Sequence, residues 1–456
     1  MSTEPDIIVI GGGSAGYAAA LRAAELGKQV VLIERDKVGG TCLHRGCVPT
    51  KALLHVAEVV DTVADAGAVG VRATMEGVDV DAMQAFRRGI VAKKYKGLEG
   101  LLAARKITVI PGDGVLEGPG RVRVGDQIFS APHVVVATGA RTRELPGVAV
   151  GGRVLTSETA LELDEIPGSV IVLGGGVIGV EFASLWRSLG AEVTVVEALS
   201  SLVPNEDETL RKGLERAFRK RGITARTGTR VASVDQSDAG VRVTLEDGAE
   251  LSADYVLVAI GRVPALDGVG LAEAGVAIER GFVVVDERLR TTVPGVWAVG
   301  DIVPGPQLAH RGFQHGIFVA EQIAGRTPTA VPDENVPRIT YSQPELAAVG
   351  LTRDQAAQRY GDDGIAVFDY NLAGNARSEI LGAAGTVRVV RRVAGPVVGV
   401  HMIGSRVGEL ISEAQLIVGW DAHPEDVAPF IHAHPTQSEA LGEAMLALAG
   451  SPLHTL

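Results

Sequence analysis

The chain has 456 residues, 46% of them hydrophobic, enough for two to four domains with sizeable cores. A formal net charge of −12 and a pI near 5.4 argue against a nucleic-acid partner, which calls for a basic face. No apolar run approaches the roughly 20 residues that span a bilayer, so no membrane partner is expected.

The first residues, Met1-Ser2-Thr3-Glu4-Pro5, carry neither a basic leader nor a cleavable apolar stretch. A cytoplasmic chain is expected, where a disulfide is more often catalytic than structural. Asp6-Ile7-Ile8-Val9-Ile10 reads as a buried strand and runs into Gly11-Gly12-Gly13-Ser14-Ala15-Gly16. An Ala-rich helix over Tyr17 to Leu26 and a strand over Gln29 to Ile33, ending at Glu34, complete a dinucleotide-binding unit. Gly11 permits the tight turn, Gly13 lets a pyrophosphate approach the backbone, and Gly16 lets the helix pack closely. The helix N-terminus then faces the phosphates, and Glu34 is placed for a ribose hydroxyl pair.

Both cysteines of the chain follow at once, in Gly40-Thr41-Cys42-Leu43-His44-Arg45-Gly46-Cys47-Val48-Pro49-Thr50-Lys51. A disulfide over so short a loop adds little stability, so a redox couple is the better reading than a staple. In an ideal helix this spacing puts the Cα atoms roughly 8.6 Å apart, beyond the span of a disulfide. The segment must therefore be distorted, and Gly46 and Pro49 permit that. The alternative is two reduced, buried cysteines that fill space.

Val134 to Thr138-Gly139 is an apolar strand ending in a small residue and glycine. The dinucleotide pattern then returns at Val170 to Leu173 with Gly174-Gly175-Gly176-Val177-Ile178-Gly179, a helix, and a strand over Glu192 to Val196 ending at Glu197. The acid follows the first glycine by the same interval in both copies. Glu197 repels a 2′-phosphate and accepts from a 2′-hydroxyl, and Ala198-Leu199-Ser200-Ser201 offers no arginine, which favours NAD over NADP. Glu206-Asp207-Glu208 opens, and the basic run Arg216 to Arg221 closes, a segment whose charges suit a solvated surface helix. Val256 to Ile260 ends in Gly261-Arg262, echoing Thr138-Gly139. Gly295 to Gly300 delivers Asp301 to a sheet edge, as a ligand contact or a helix N-cap.

Two dinucleotide sites and a dithiol imply a relay of two electrons. NAD(P)H gives hydride and a disulfide takes electrons with protons, so a flavin between them is the plausible converter. The cysteines lie just after Glu34, which sets the flavin in the first copy and leaves the second for the nicotinamide cofactor.

On these residues the chain resembles the flavoprotein disulfide reductases, most closely the dihydrolipoamide dehydrogenases, essentially from Asp6 to Gly450. Its most specific segments are Gly39 through Lys51, Leu308-Ala309-His310, and His432-Ala433-His434-Pro435-Thr436-Gln437-Ser438-Glu439. The resemblance implies an α/β fold of two Rossmann-like domains, for FAD and NAD, with a C-terminal α+β dimerisation domain. It divides the chain into 1–145 for FAD with the redox disulfide, 146–264 for NAD, 265–334 completing the FAD domain, and 335–456 for dimerisation. Cys42 is implied as the interchange thiol, Cys47 as the thiol against the flavin, Lys51 as a flavin neighbour and Glu181 as its partner. Thr41, Gly114, Thr138, Gly139, Asp301 and Ala309 are implied around FAD. Val231, Gly261 and Arg262 join Gly174, Gly176, Gly179 and Glu197 in the cofactor-binding set. No metal is implied.

Pro435 biases His434 towards extended backbone and can itself open the helix running to Leu448. Glu439 is placed to orient the imidazole, and a His–Glu pair makes a general base for thiols, its pKa raised by the carboxylate. From the residues alone, His434 is equally a core histidine or half of a metal pair with His432, or Glu439 merely complements a helix dipole. The resemblance makes His434 the catalytic base, acting on the disulfide of the partner subunit in a homodimer.

His44 and Arg45 depart from the usual Asn and Val, and their positive charge is expected to favour the thiolate. Thr50, Ala265 and Gln437 are further departures, Ala265 costing one polar contact. The implied activity is oxidation of protein-bound dihydrolipoamide with reduction of NAD, docked on the acyltransferase core of a 2-oxo acid dehydrogenase or within a glycine cleavage complex. Glutathione- or mycothione-type reductases are the alternatives, but call for a basic residue near position 197. Mercuric reductase needs a C-terminal cysteine pair, which is absent. A subunit serving chiefly assembly is the reading from a different class.

Overall fold

The computed structural model describes residues 4–330 and 332–455. The leaderless start read at Met1-Ser2-Thr3 lies outside them. Five short strands form the first sheet, in the order Val296–Ala298, His133–Val136, Ile7–Ile10, Val30–Glu34, Thr108–Pro111. All neighbours are parallel. The central strands are runs of Val and Ile because helices and a second layer bury both faces. Ile8, Val9, Val134 and Val136 are all fully buried, each worth about 1.5–3 kcal/mol of transfer from water.

The second sheet repeats the plan, in the order Thr224–Arg226, Glu192–Val196, Ser169–Leu173, Tyr255–Val258, Val154–Thr156. Each sheet is accompanied by a three-stranded antiparallel meander, Gly114–Ser130 beside the first and Val231–Ala253 beside the second. The fingerprint strand lies inside its sheet, where strand order reverses, so a crevice opens beyond its C-terminal end.

The third sheet is antiparallel, Arg338–Thr340, Glu345–Gly350, Val397–Gly404, Thr386–Arg392 and Ile365–Asn371. Helices Val407–Gly419 and Glu439–Leu448 share one core with it. The expected α/β architecture with an α+β C-terminal unit is therefore present. Helices Ser14–Glu25 and Ala309–Ile323 cross closely because small residues meet: a Cβ on Gly316 would lie 2.3 Å from the Ala15 carbonyl oxygen. That crossing sets the start of the second helix, Ala309, beside the first fingerprint. No helix among the described residues is long and apolar enough to cross a membrane.

The helix expected from Glu206 to Arg221 runs from Glu208 to Lys220, with Glu208, Arg216, Arg219 and Lys220 exposed as expected, but the charged residues that flank it are not solvated. Asp207, 2% exposed, caps it by accepting from the Thr209 N–H and also holds Arg388 and the Arg353 N–H. Arg221 donates to Ser184, Ser188 and Asp61. Asp207 and Arg221 are thus tied to other elements, and Leu210, Leu214 and Phe218 anchor the apolar face.

Candidate functional site

The two fingerprints fold into near-identical cradles. Gly11 has φ +99° and Gly174 φ +107°, and a Cβ on either would lie 2.4 Å from the carbonyl oxygen of Ala137 or Ala259. A Cβ on Gly16 would fall 1.8 Å from Gly11 O, and one on Gly179 1.9 Å from Gly174 O. These four glycines are dictated by protein packing. Gly176 differs: a Cβ there meets nothing within 4 Å, and one on Gly13 meets only Gly40 Cα at 4.0 Å. Gly13 and Gly176 therefore face open space, the room that the pyrophosphate of a dinucleotide would need.

The acids match in the same way. Glu34 accepts from the N–H of Gly12 at 2.6 Å and of Asp36 at 2.9 Å. Glu197 accepts from Gly175 at 2.6 Å and Leu199 at 2.7 Å. Each carboxylate is fixed by the turn it faces, with lone pairs left for a ribose. The residues present fit FAD and NAD.

One cleft of about 1720 Å³ joins the cradles, running from Gly11, Gly13 and Glu34 past Cys42 and Cys47 to Gly174, Gly176 and Glu197. Thr41, Lys51, Gly114, Thr138, Gly139 and Asp301 also line it. So do Ala309, Glu181, Val231, Gly261 and Arg262. Gly16 and Gly179 lie behind its wall, as packing residues. Thr138 spends its hydroxyl on the Ala265 carbonyl at 2.7 Å, and Arg262 donates to Ala140 O at 2.6 Å, so both also brace the wall. Asp301 sits in a short 3-10 turn, Gly300–Ile302, whose cap is Val299, so it is not an N-cap. Burial pushes its carboxyl above the usual range against the pull of Arg262 and Arg311.

The dithiol segment breaks at Gly46, with φ −139° and ψ −117°, between helices Gly40–Arg45 and Cys47–Asp65. Pro49 makes no distortion; it lies in the first turn of the second helix, where its missing N–H costs nothing. Both cysteines are free thiols, with Cys47 open to the cleft. The two thiols act on each other through a hydrogen bond. Cys42, which donates, is held well above the thiol range, and Cys47, which accepts, falls to about 7. Lys51 assists Cys47 by its charge, while burial and Glu181 oppose. Cys47 is also the first residue of a long helix, where the N-terminal dipole favours an anion.

The expected help from His44 and Arg45 is not what the structure shows. His44 Nε2 bonds Val38 O at 2.9 Å and its ring stands edge-on to Tyr95, while Arg45 pairs with Asp36. The cation facing Cys47 is Lys51, whose Nζ lies 2.9 and 2.8 Å from the two oxygens of Glu181. Burial works against that ammonium, but Glu181 outweighs it and raises its pKa.

His434 and Glu439 do not line the cleft. His434 Nδ1 is 2.8 Å from Glu439 Oε1, and Glu439 also accepts from the Thr436 N–H. Burial raises the Glu439 pKa, yet the Thr436 N–H and His434 bring it below the usual range. The helix opens at Glu439 rather than at Pro435, which puts the carboxylate in the first turn, under the ring. His432 turns the other way, to Glu413 at 2.7 Å, so the two histidines serve different carboxylates. Gln437 is satisfied by Ser405 O at 2.9 Å.

Two tyrosines beside the dithiol and its lysine are absent from the site expected from the sequence. Tyr17 stands near Cys42, and burial followed by that thiol's charge pushes its phenol up to about 12. Tyr341 sits over Lys51, with Nζ 4.8 Å from its ring centroid. Tyr17 directly follows Gly16, a placement that its fingerprint position offered; Tyr341 has no local cue.

Residues 5–316 match the pyridine nucleotide-disulphide oxidoreductase family, and residues 336–445 its dimerisation domain. Dihydrolipoyl dehydrogenase 1, mitochondrial, of Arabidopsis thaliana is 39% identical over 99% of this chain and 92% of its own length. A Bacillus subtilis dihydrolipoyl dehydrogenase is 38% identical over the whole of both chains. Leghemoglobin reductase of Glycine max is 38% identical over 99% of this chain and 89% of its own. Among solved structures, LpdA of Mycobacterium tuberculosis superposes with a TM-score of 0.91 at 29% identity, covering 97% of this chain and 99% of that one. With both cradles, the dithiol and a full-length likeness to enzymes of one kind, this chain is an FAD- and NAD-using oxidoreductase acting on sulfur, and it belongs to the pyridine nucleotide-disulphide oxidoreductase family.

Proposed function

We propose that the chain oxidises protein-bound dihydrolipoamide to lipoamide and reduces NAD+, as the dihydrolipoyl dehydrogenase of a 2-oxo acid dehydrogenase or glycine cleavage complex. The observation that carries this reading is the single cleft in which both dinucleotide cradles meet Cys42 and Cys47. Residues 1–145 and 265–334 are assigned to FAD, 146–264 to NAD and 335–456 to dimerisation. Gly11, Gly13 and Glu34 would hold FAD and Gly174, Gly176 and Glu197 would hold NAD, and the two cofactors, when bound, would supply the two-electron and hydride chemistry beside the dithiol.

The chain's own residues do the sulfur chemistry. His434, steadied by Glu439, accepts a proton from one substrate thiol. The substrate thiolate attacks Cys42 Sγ of the Cys42–Cys47 disulfide, forming a mixed disulfide and releasing Cys47 as thiolate. The second substrate thiol attacks the substrate sulfur of that bond, expelling Cys42, which takes up a proton. Lipoamide leaves, and two protein sulfurs are reduced. Lys51 and the helix N-terminus hold Cys47 as the anion. On this chain His434 faces solvent, so we assign its reach to a homodimer in which the partner subunit's His434 meets the disulfide.

The reading is tested by turnover of the purified full-length protein. NADH should drive reduction of lipoamide, NADPH should not, and glutathione disulfide should be ignored. Cys42→Ser should abolish lipoamide turnover while NADH oxidation by artificial quinones persists; joint loss of both would point to a structural role for Cys42.

A further inference from the structure

Lys51 is held from two sides by elements far apart in sequence. Glu181, on the helix Val177–Ser188, binds Nζ through both carboxylate oxygens. Tyr341, just past the strand Arg338–Thr340, lays its ring 4.8 Å from Nζ and donates its backbone N–H to Glu181 Oε1 at 3.0 Å. One residue therefore touches both halves of the ion pair. Glu181 is 3% exposed and cannot drift, whereas the Lys51 side chain is 32% exposed and has the open cleft before it.

The position of that ammonium matters because the two charges act oppositely on Cys47. Lys51 favours its thiolate and Glu181 disfavours it. If Nζ turned away towards water, the carboxylate would be left as the nearer charge. An aromatic face attracts an ammonium without accepting its protons, so it holds Nζ in place and leaves a third N–H free for the cleft.

We infer that Tyr341 is a positioning residue for the dithiol: its ring confines the Lys51 ammonium between Glu181 and Cys47 and so sustains the Cys47 thiolate. This rests on Cys42 and Cys47 being the redox couple. The charged and titratable groups facing Cys47 are Cys42 from the helix Gly40–Arg45, Lys51 one turn along its own helix, and Glu181. Those facing Tyr341 are Lys51, Glu345, Glu409 and Glu181. The inference predicts that removing the ring, but not the hydroxyl, makes the thiolate harder to form.

The test is the pH profile of Cys47 alkylation by iodoacetamide in the reduced full-length holoenzyme. Trypsin cuts after Arg45, so Cys42 and Cys47 report in separate peptides. Tyr341→Leu should slow Cys47 modification near neutral pH by roughly three- to tenfold and move its midpoint upward, while Tyr341→Phe stays within about twofold of the unaltered chain. Tyr341→Met, which fills similar space without a ring, takes the place of the Leu variant should that one not fold. An unchanged midpoint in the ringless variant, or a Phe variant shifted as far, overturns the inference. Failure of Cys42 and Cys47 to gain alkylation when the oxidised holoenzyme is reduced overturns instead the redox reading on which it rests.

Discussion

His434 Nδ1 stands 2.8 Å from Glu439 Oε1 while 72% of the His434 side chain is open to solvent. The carboxylate fixes one ring nitrogen and leaves Nε2 facing outward, where a substrate thiol arriving at a partner's disulfide would find it. His434→Gln should lower dihydrolipoamide turnover by roughly 10²–10⁴-fold with FAD content unchanged. Steady-state kinetics beside the flavin spectrum check this, and near-normal turnover would remove His434 from the mechanism.

The fingerprint glycines divide into those where a Cβ would strike protein and those that face open space. Gly179→Ala places a Cβ 1.9 Å from a carbonyl oxygen and should destabilise the second sheet by several kcal/mol or prevent its folding. Gly176→Ala meets no protein atom within 4 Å. It should leave the melting temperature and FAD content unaltered while raising the KM for NAD at least tenfold. Equal effects of the two changes would contradict the cradle.

Glu197 is held by the Gly175 and Leu199 N–H groups at the ribose end of the second cradle. Glu197→Gln removes a charge that repels a 2′-phosphate, an effect of about 1 kcal/mol or more at a partly solvated site. The kcat/KM for NADPH should rise about fivefold or more, with NADH use weakened. A ratio of the two that does not move would place the discrimination elsewhere.

His315 gives the fold an acid-side weakness. Its Nδ1 accepts from the Gly300 N–H at 3.3 Å, and burial, with Arg311 nearby, lowers its pKa to about 4. The unfolded chain, with a histidine near 6.5, binds the extra proton first. Stability is therefore whole above about pH 6.5 and falls as pH drops towards about 4, by no more than about 3 kcal/mol from this group. Fully buried His401, also lowered by desolvation, acts in the same direction. In His315→Gln the side-chain oxygen still accepts from Gly300 but does not titrate. Melting curves at neutral and acidic pH should show a smaller acid loss in that variant, and an equal loss would clear His315.

What the sequence made legible was local. Gly11, Gly13, Gly16 and Glu34, and their second copy, announce themselves because a turn, a phosphate approach and a ribose contact each admit few residue types. The break between Cys42 and Cys47 was readable from Gly46. The charge environment was not. His44 and Arg45 looked like cations beside a thiolate, yet Val38 O and Tyr95 take the one and Asp36 the other. Asp207 and Arg221 looked like solvated helix ends and are instead ties between elements more than a hundred residues apart. Tyr341 reaches Lys51 only through the packing of the third sheet against the dithiol helix, a relation no local pattern encodes.

The central claim is that electrons enter through the sulfur pair, and the reductive half-reaction tests it most directly. Dihydrolipoamide is added anaerobically to the oxidised holoenzyme with NAD absent, and the products are trapped with an alkylating agent. The account predicts one lipoamide formed per chain, with new alkylation at both Cys42 and Cys47. Lipoamide formed while both sulfurs stay unmodified, or no lipoamide at all, would contradict it.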